Sequence, residues 1–279
     1  MGFNLADLVA TLDVQRMGAD IYQGTNYPLS YRRIFGGQVL AQGIRCLHET
    51  GNGKQVKSIT QYFPREGDVA EPITYRVDKA HEGRTFATSA IRAQQGERTI
   101  GVMTASLHAP EAGMERTQTA PDVVPPGWAK PVNNPILPWD VRVIDGGDLS
   151  DPSAREASYR YWMRIPDLAD HAGLVDGDAQ WLHQALLAHA SEPTIIGTAL
   201  FPLEGISQAD AQVKFTSAVT THSIWFHADV RMDDWVLVDQ QSPTMNGSRV
   251  FGRADFWTRD GRLVASVAQE SMVRFREED

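Results

Sequence analysis

Cysteine is nearly absent from this sequence. Cys46 is the only thiol in 279 residues, so no internal disulfide can form. An unbridged chain of this length fits a reducing compartment, and the cytoplasm is the expected location. Long apolar runs are missing too. Stretches such as IIGTALFPL, residues 195–203, fall far below the roughly 20 residues of a membrane-spanning helix, so no membrane insertion is expected. No basic stretch precedes a continuous apolar one at the N-terminus, so no signal peptide is expected either. Positive charge is in deficit. Lys and Arg total 26 against 35 Asp and Glu, a net charge of -9. That balance argues against the basic face a nucleic-acid binder needs, and still allows a local basic patch for a small anion.

Several catalytic signatures are lacking as well. There is no G-x-S-x-G, hence no serine-hydrolase elbow. Cys46 has no obvious histidine partner and reads as a plain buried thiol. His183 and His189 are six apart on a helical pattern and do not share a face as an i, i+4 pair would. His222 and His227 are five apart on a strand pattern, which sends them to opposite faces. No metal site and no cofactor are expected. GNGKQV, residues 51–56, is too short for a dinucleotide fingerprint and follows a helix instead of a strand.

What is present is a soluble-protein composition, 42% apolar and 22% charged, arranged in two similar halves. Residues 109–136 are rich in proline and poor in apolar periodicity, and read as a connector. Residues 1–108 and 137–279 each read as one central helix, 35–50 and 180–198, followed by an antiparallel meander of alternating strands. Sliding residues 58–108 without a gap onto 223–273 gives eight identities. Ser58 meets Ser223, Ile59 meets Ile224, Asp68 meets Asp233 and Arg84 meets Arg249; Phe86 meets Phe251, Gly96 meets Gly261, Val102 meets Val267 and Ser106 meets Ser271. Turn glycines in register, with the same strand pattern on both sides, favour a duplication.

The motifs RIFGGQVLAQ, YFPREGD, HQALLAHASE, HSIWFH, DGRLVASVAQE and MVR, in that order, resemble the acyl-CoA thioesterase II family. The resemblance runs from about residue 12 to 276. It implies an α+β double hot-dog, with two helices packed against a shared antiparallel sheet. It also implies hydrolysis of acyl-CoA to free acid and CoA, no cofactor, and association into a dimer or tetramer. Gly36 and Gly37, two poor helix formers at a helix entrance, then permit close approach of backbone to backbone, or of backbone to a ligand.

The family's chemistry is water attack served by an Asp, a Thr or Ser, and a Gln from the second half. Carried over residue by residue, the glutamine is Gln269. The aspartate position holds Glu192, whose carboxylate reaches ~1.5 Å further from the backbone. The hydroxyl position holds Val219, and Thr221, two residues on, is expected to return a hydroxyl to the same strand face. Glu192, Gln269 and Thr221 are the expected base, amide and hydroxyl. Where the family has two first-half histidines, Lys57 and Thr60 stand here. Arg32, Arg33, Lys54 and Lys57 are candidates for a patch binding CoA phosphates. Gly36, Gly37, Arg33 and Lys57 are thus the expected substrate contacts. Departures at two of the three positions keep a second reading open, an acyl-CoA-binding protein that has lost its triad. A hot-dog hydratase is a further reading, but its Asp–His dyad has no clear counterpart.

Overall fold

The computed structural model describes residues 4–27, 33–132, 139–145, 147–168 and 180–276. In chain order the elements are α1 (Leu5–Leu12), β1 (Gln15–Gly18), β2 (Ile21–Gly24), α2 (Gly36–Thr50), β3 (Gln55–Tyr62), β4 (Ile73–Glu82), β5 (Phe86–Gln95) and β6 (Arg98–His108). The second series is β7 (Lys130–Val132), β8 (Asp140–Asp145), β9 (Ser158–Arg164), α3 (Gln180–Ala190), α4 (Ile195–Leu200), β10 (Phe215–Phe226), β11 (Val236–Asn246), β12 (Arg249–Thr258) and β13 (Leu263–Phe275).

Strand alternation sets the layers. On β13, Val267, Gln269, Ser271 and Val273 are buried while Glu270 between them is partly open to solvent. One face of each long strand therefore turns to the helices and the other away. Helix α2 offers Val39, Leu40, Ile44 and Leu47 to the core. Almost every residue of α3 is buried, because it packs on both the sheet and α2. Both helices lie against one sheet of order β1-β2-β4-β5-β6-β3-β10-β13-β12-β11-β9-β8-β7, all of its pairs antiparallel. The halves meet where β3 pairs with β10, and the strand order runs outward from that seam in the same sequence on both sides.

The duplication is real, but its register differs from the one the identities suggest. Three β-bulges of the long strands fall at matching places in the two halves. Lys57 on β3 answers Thr220 on β10, the bulge at Ala80 on β4 answers the break between Gln241 and Thr244 on β11, and Ile100 on β6 answers Val264 on β13. Aligning the bulges moves β3 to β5 by two residues from the gapless match. The match of β6 with β13 moves by a single residue and so changes face. Val102 is 37% exposed while Val267 is 2% exposed, so those two valines are not equivalent. Bulges are positional features of a sheet and fix register better than scattered identities.

The helix expected over 180–198 is broken. It stops at Ala190, and α4 begins at Ile195. Pro193 has no N–H to continue the helical ladder and disfavours helical geometry at Glu192 before it. The connector is packed as well as long. Trp162 donates to the Val124 carbonyl at 2.9 Å, and β7 extends the sheet beside β8. The connector's end, 133–136, lies outside the described residues. Trp257 and Phe226 are core side chains, whereas Trp225 faces outward at 42% exposure.

Candidate active site

Helix α2 starts without a side-chain cap and without an acidic residue in its first turn. The donor left over there is met from the other half of the chain. The Gly37 N–H donates to Glu192 Oε2 at 3.3 Å. A Cβ on Gly37 would lie 2.7 Å from the His189 carbonyl oxygen, and one on Gly36 would lie 2.8 Å from the Phe63 ring and 3.1 Å from Glu192 Oε1. The two glycines therefore let α3 cross α2 in backbone contact and let a carboxylate sit on the helix end. Glu192 reaches that position because the break between α3 and α4 points it there.

Burial raises the Glu192 pKa to about 7, opposed by the Gly37 N–H and by Arg33. The Arg33 guanidinium donates to the Ser217 carbonyl at 2.5 Å and pairs with Glu66 at 3.4 Å. Beside Glu192 stands an aromatic wall. The Tyr27 hydroxyl is 2.6 Å from His189 Nε2, and Phe35 and Trp139 meet the His189 ring edge-on. Desolvation lowers the His189 pKa to about 3, so the imidazole that shares this hydrogen bond with Tyr27 is neutral.

One residue before Glu192 begins a buried polar chain. Ser191 Oγ lies 2.9 Å from His222 Nε2, His222 Nδ1 lies 2.8 Å from Gln269 Oε1, and Gln269 Nε2 donates to Ser271 Oγ at 3.1 Å. Burial lowers the His222 pKa to about 4. A neutral imidazole donates from one nitrogen and accepts at the other, so His222 links Ser191 to Gln269 without carrying charge. On the other side of His222, Gln61 of β3 is fully buried, and neither of its amide atoms has a hydrogen-bond partner among the described residues.

The structure thus brings Glu192, Gly36, Gly37 and Arg33 together, with Gln269 joined to them through Ser191 and His222. It does not bring Thr221 or Lys57. The bulge at Thr220 inserts one residue into β10, and side chains after it change face. Val219 pairs with Ser271 on the Gln269 face, whereas Thr221 pairs with Glu270 and Tyr62 on the outer face. The same-face expectation for Val219 and Thr221 fails for that reason. Lys57 sits near the start of β3 with its ammonium over the Phe86 ring, whereas Arg33 reaches Glu66 beyond the end of that strand. Five residues of strand separate the two positions by roughly 17 Å. Lys54 is only 8% exposed and is no surface cation. Arg32 lies outside the described residues.

Sequence reasoning considered His222 only as a metal ligand paired with His227. The two do face opposite ways, His222 buried and His227 exposed against Ser266. Among the described residues no group of three metal-ligating side chains converges. The signal for Ser191, His222 and Ser271 is a polar residue at each core-facing position, legible once strand phase is known.

Residues 27–108 match the acyl-CoA thioesterase N-terminal domain, and residues 107–273 match the acyl-CoA thioesterase C-terminal domain. Acyl-CoA thioesterase 2 of Haemophilus influenzae is 29% identical over 293 residues, covering 98% of this chain and 99% of the relative. Acyl-coenzyme A thioesterase 8 of Mus musculus is 27% identical over 297 residues, covering 96% and 89%. Among solved structures, acyl-CoA thioesterase II TesB2 from Mycobacterium marinum is similar with a TM-score of 0.78 at 28% identity, over 98% of both chains. A hot-dog protein from Alicyclobacillus acidocaldarius reaches 0.76 at 17% identity over 97% of this chain and 98% of that one, a likeness of fold alone. The fold is the α+β double hot-dog, and the chain belongs to the acyl-CoA thioesterase II family.

Proposed function

We propose that the protein hydrolyses acyl-CoA to free acid and CoA, with Glu192 as the base and Gln269 as the amide that fixes the attacking water. The carboxylate takes one proton from the water as its oxygen bonds to the thioester carbon. The C–S bond then breaks, and the departing CoA thiolate takes the proton back from Glu192. The observation that carries this reading is the state of Glu192. It is a buried carboxylate with a pKa raised to about 7, so it gives up and accepts a proton near neutral pH. It stands one residue from the network that holds Gln269. Arg33 contributes a positive charge beside it, and Gly36 and Gly37 form the floor on which it sits.

Release of free thiol from a panel of acyl-CoAs of different chain lengths tests the reading. The unmutated protein should release thiol from at least one. Gln269→Ala should lower that rate by about 10²–10³, the usual cost of losing one orienting donor. Binding of acyl-CoA without any release of thiol would leave the chain a binding member of the family and would sink the hydrolase reading. The cytoplasm is the setting we propose, on the strength of the single, buried thiol of Cys46. No helix among the described residues is long and apolar enough to cross a membrane.

A further inference from the structure

We infer that Ser271 supplies the hydroxyl that orients the attacking water, the part expected of a threonine on β10. This rests on the hydrolase reading and deepens it. Ser271 is fully buried on the inner face of β13, directly across from Val219. It accepts from Gln269 Nε2 at 3.1 Å. The Gln269 carbonyl oxygen is already held by His222 at 2.8 Å, so the amide plane is fixed and its nitrogen is aimed at the serine.

Valence is left over at this point. The Gln269 nitrogen has a second hydrogen. Ser271 keeps its own hydrogen and a lone pair, and its side chain makes no other hydrogen bond among the described residues. A buried hydroxyl with open valence is unfavourable unless a further polar group meets it. A water attacking a thioester needs one proton directed at the base and one contact to fix its direction, with a lone pair left for the carbon. A serine beside a locked amide provides that second contact.

The duplication supplies an independent comparison. With the bulges aligned, His222, Gln269 and Ser271 occupy the places of Ile59, Ala105 and Leu107 in the first half. Those three are apolar and at most 4% exposed. The same fold therefore packs these positions with hydrocarbon in one half and with linked polar groups in the other. Packing alone does not call for a serine at 271. On the neighbouring strand the inner-facing hydroxyl is that of Ser217, which stands opposite Val273, one pair step beyond the Val219–Ser271 pair and away from Gln269. Val219 has none, Thr220 donates its own to the Glu270 carbonyl at 3.0 Å, and Thr221 is on the outer face.

The test is hydroxyl deletion and transfer, read as kcat and KM for thiol release. Ser271→Ala should lower kcat about 10²-fold with KM little changed, the mark of an interaction made in the transition state. Ser271→Thr should keep most of the rate. Val219→Thr placed in the Ser271→Ala background should recover at least tenfold, because it returns a hydroxyl to the same face from the opposite strand. A purely structural serine would not be rescued from across the strand pair. Full activity of Ser271→Ala alongside an inactive Gln269→Ala overturns the serine assignment and leaves the hydrolase reading intact. Loss of rate with Thr221→Val and none with Ser271→Ala overturns it in favour of the outer threonine. No thiol release by the unmutated protein overturns both readings.

Discussion

A carboxylate seated on a helix N-terminus and shut away from water is pulled two ways. The helix end and Arg33 favour its charge, and burial opposes it more strongly, leaving Glu192 with a pKa of about 7 against an ordinary 4.5. A base must be ionised, so kcat/KM should rise with pH through about 7 and level off above it. Stability moves the other way. Between pH 4.5 and 7 the folded state holds a proton that the unfolded state has lost. Stability therefore falls as pH rises through that window, by on the order of 3 kcal/mol for this group. Glu192→Gln removes the charge. It should lose thioesterase activity, and its melting temperature should gain on that of the parent between pH 5 and pH 8. A melting difference that does not change with pH would contradict the assigned ionisation.

At the scale of elements, the site depends on the crossing of α2 and α3. The two glycines of α2 are not interchangeable there. A methyl on Gly37 meets the His189 backbone oxygen at 2.7 Å, and the backbone of α3 cannot turn aside. A methyl on Gly36 meets chiefly the Phe63 ring, a side chain that can rotate. Gly37→Ala should therefore cost about 1–3 kcal/mol by overpacking, and should weaken activity by displacing the helix end that holds Glu192. Gly36→Ala should cost less. Thermal melts of both variants check the order, and the reverse order would show that the crossing is not set by backbone contact. Legibility in the sequence differs between elements. Helix α2 and the long strands follow from apolar spacing. The α3–α4 break at Pro193 is legible as a proline within the segment, and the single helix expected over 180–198 overruns it because apolar residues continue on both sides.

At the scale of the whole molecule, the outer sheet face remains partly apolar. Phe251, Tyr62 and Val102 stand in one cross-strand row at 36%, 53% and 37% exposure, with Glu270 of β13 and Thr221 of β10 between Phe251 and Tyr62. A row of this kind at the seam of the sheet suits a contact with a second copy. Association to a dimer or a tetramer is the expectation we carry from the sequence. Light scattering over a wide concentration range should give at least twice the chain mass of 30.9 kDa. A constant monomer mass would count against it.

The sequence by itself determined the two-helix, one-sheet architecture and the family, and through the family resemblance it nominated two polar groups of the candidate site, Glu192 and Gln269. The architecture depends on local periodicity and the resemblance on short motifs, which survive in the order of residues. Tertiary structure alone decided which face Thr221 takes, which residues of the two halves are equivalent, and what holds the Gly37 N–H. A bulge adds one residue to a strand without altering its composition. The alternation on either side reads as continuous although every later side chain has changed face. The bond from Gly37 to Glu192 joins residues far apart in the chain, and no local pattern encodes it. Ser271 illustrates both limits, since its face is set by register and its partner by the side chain that His222 holds in place.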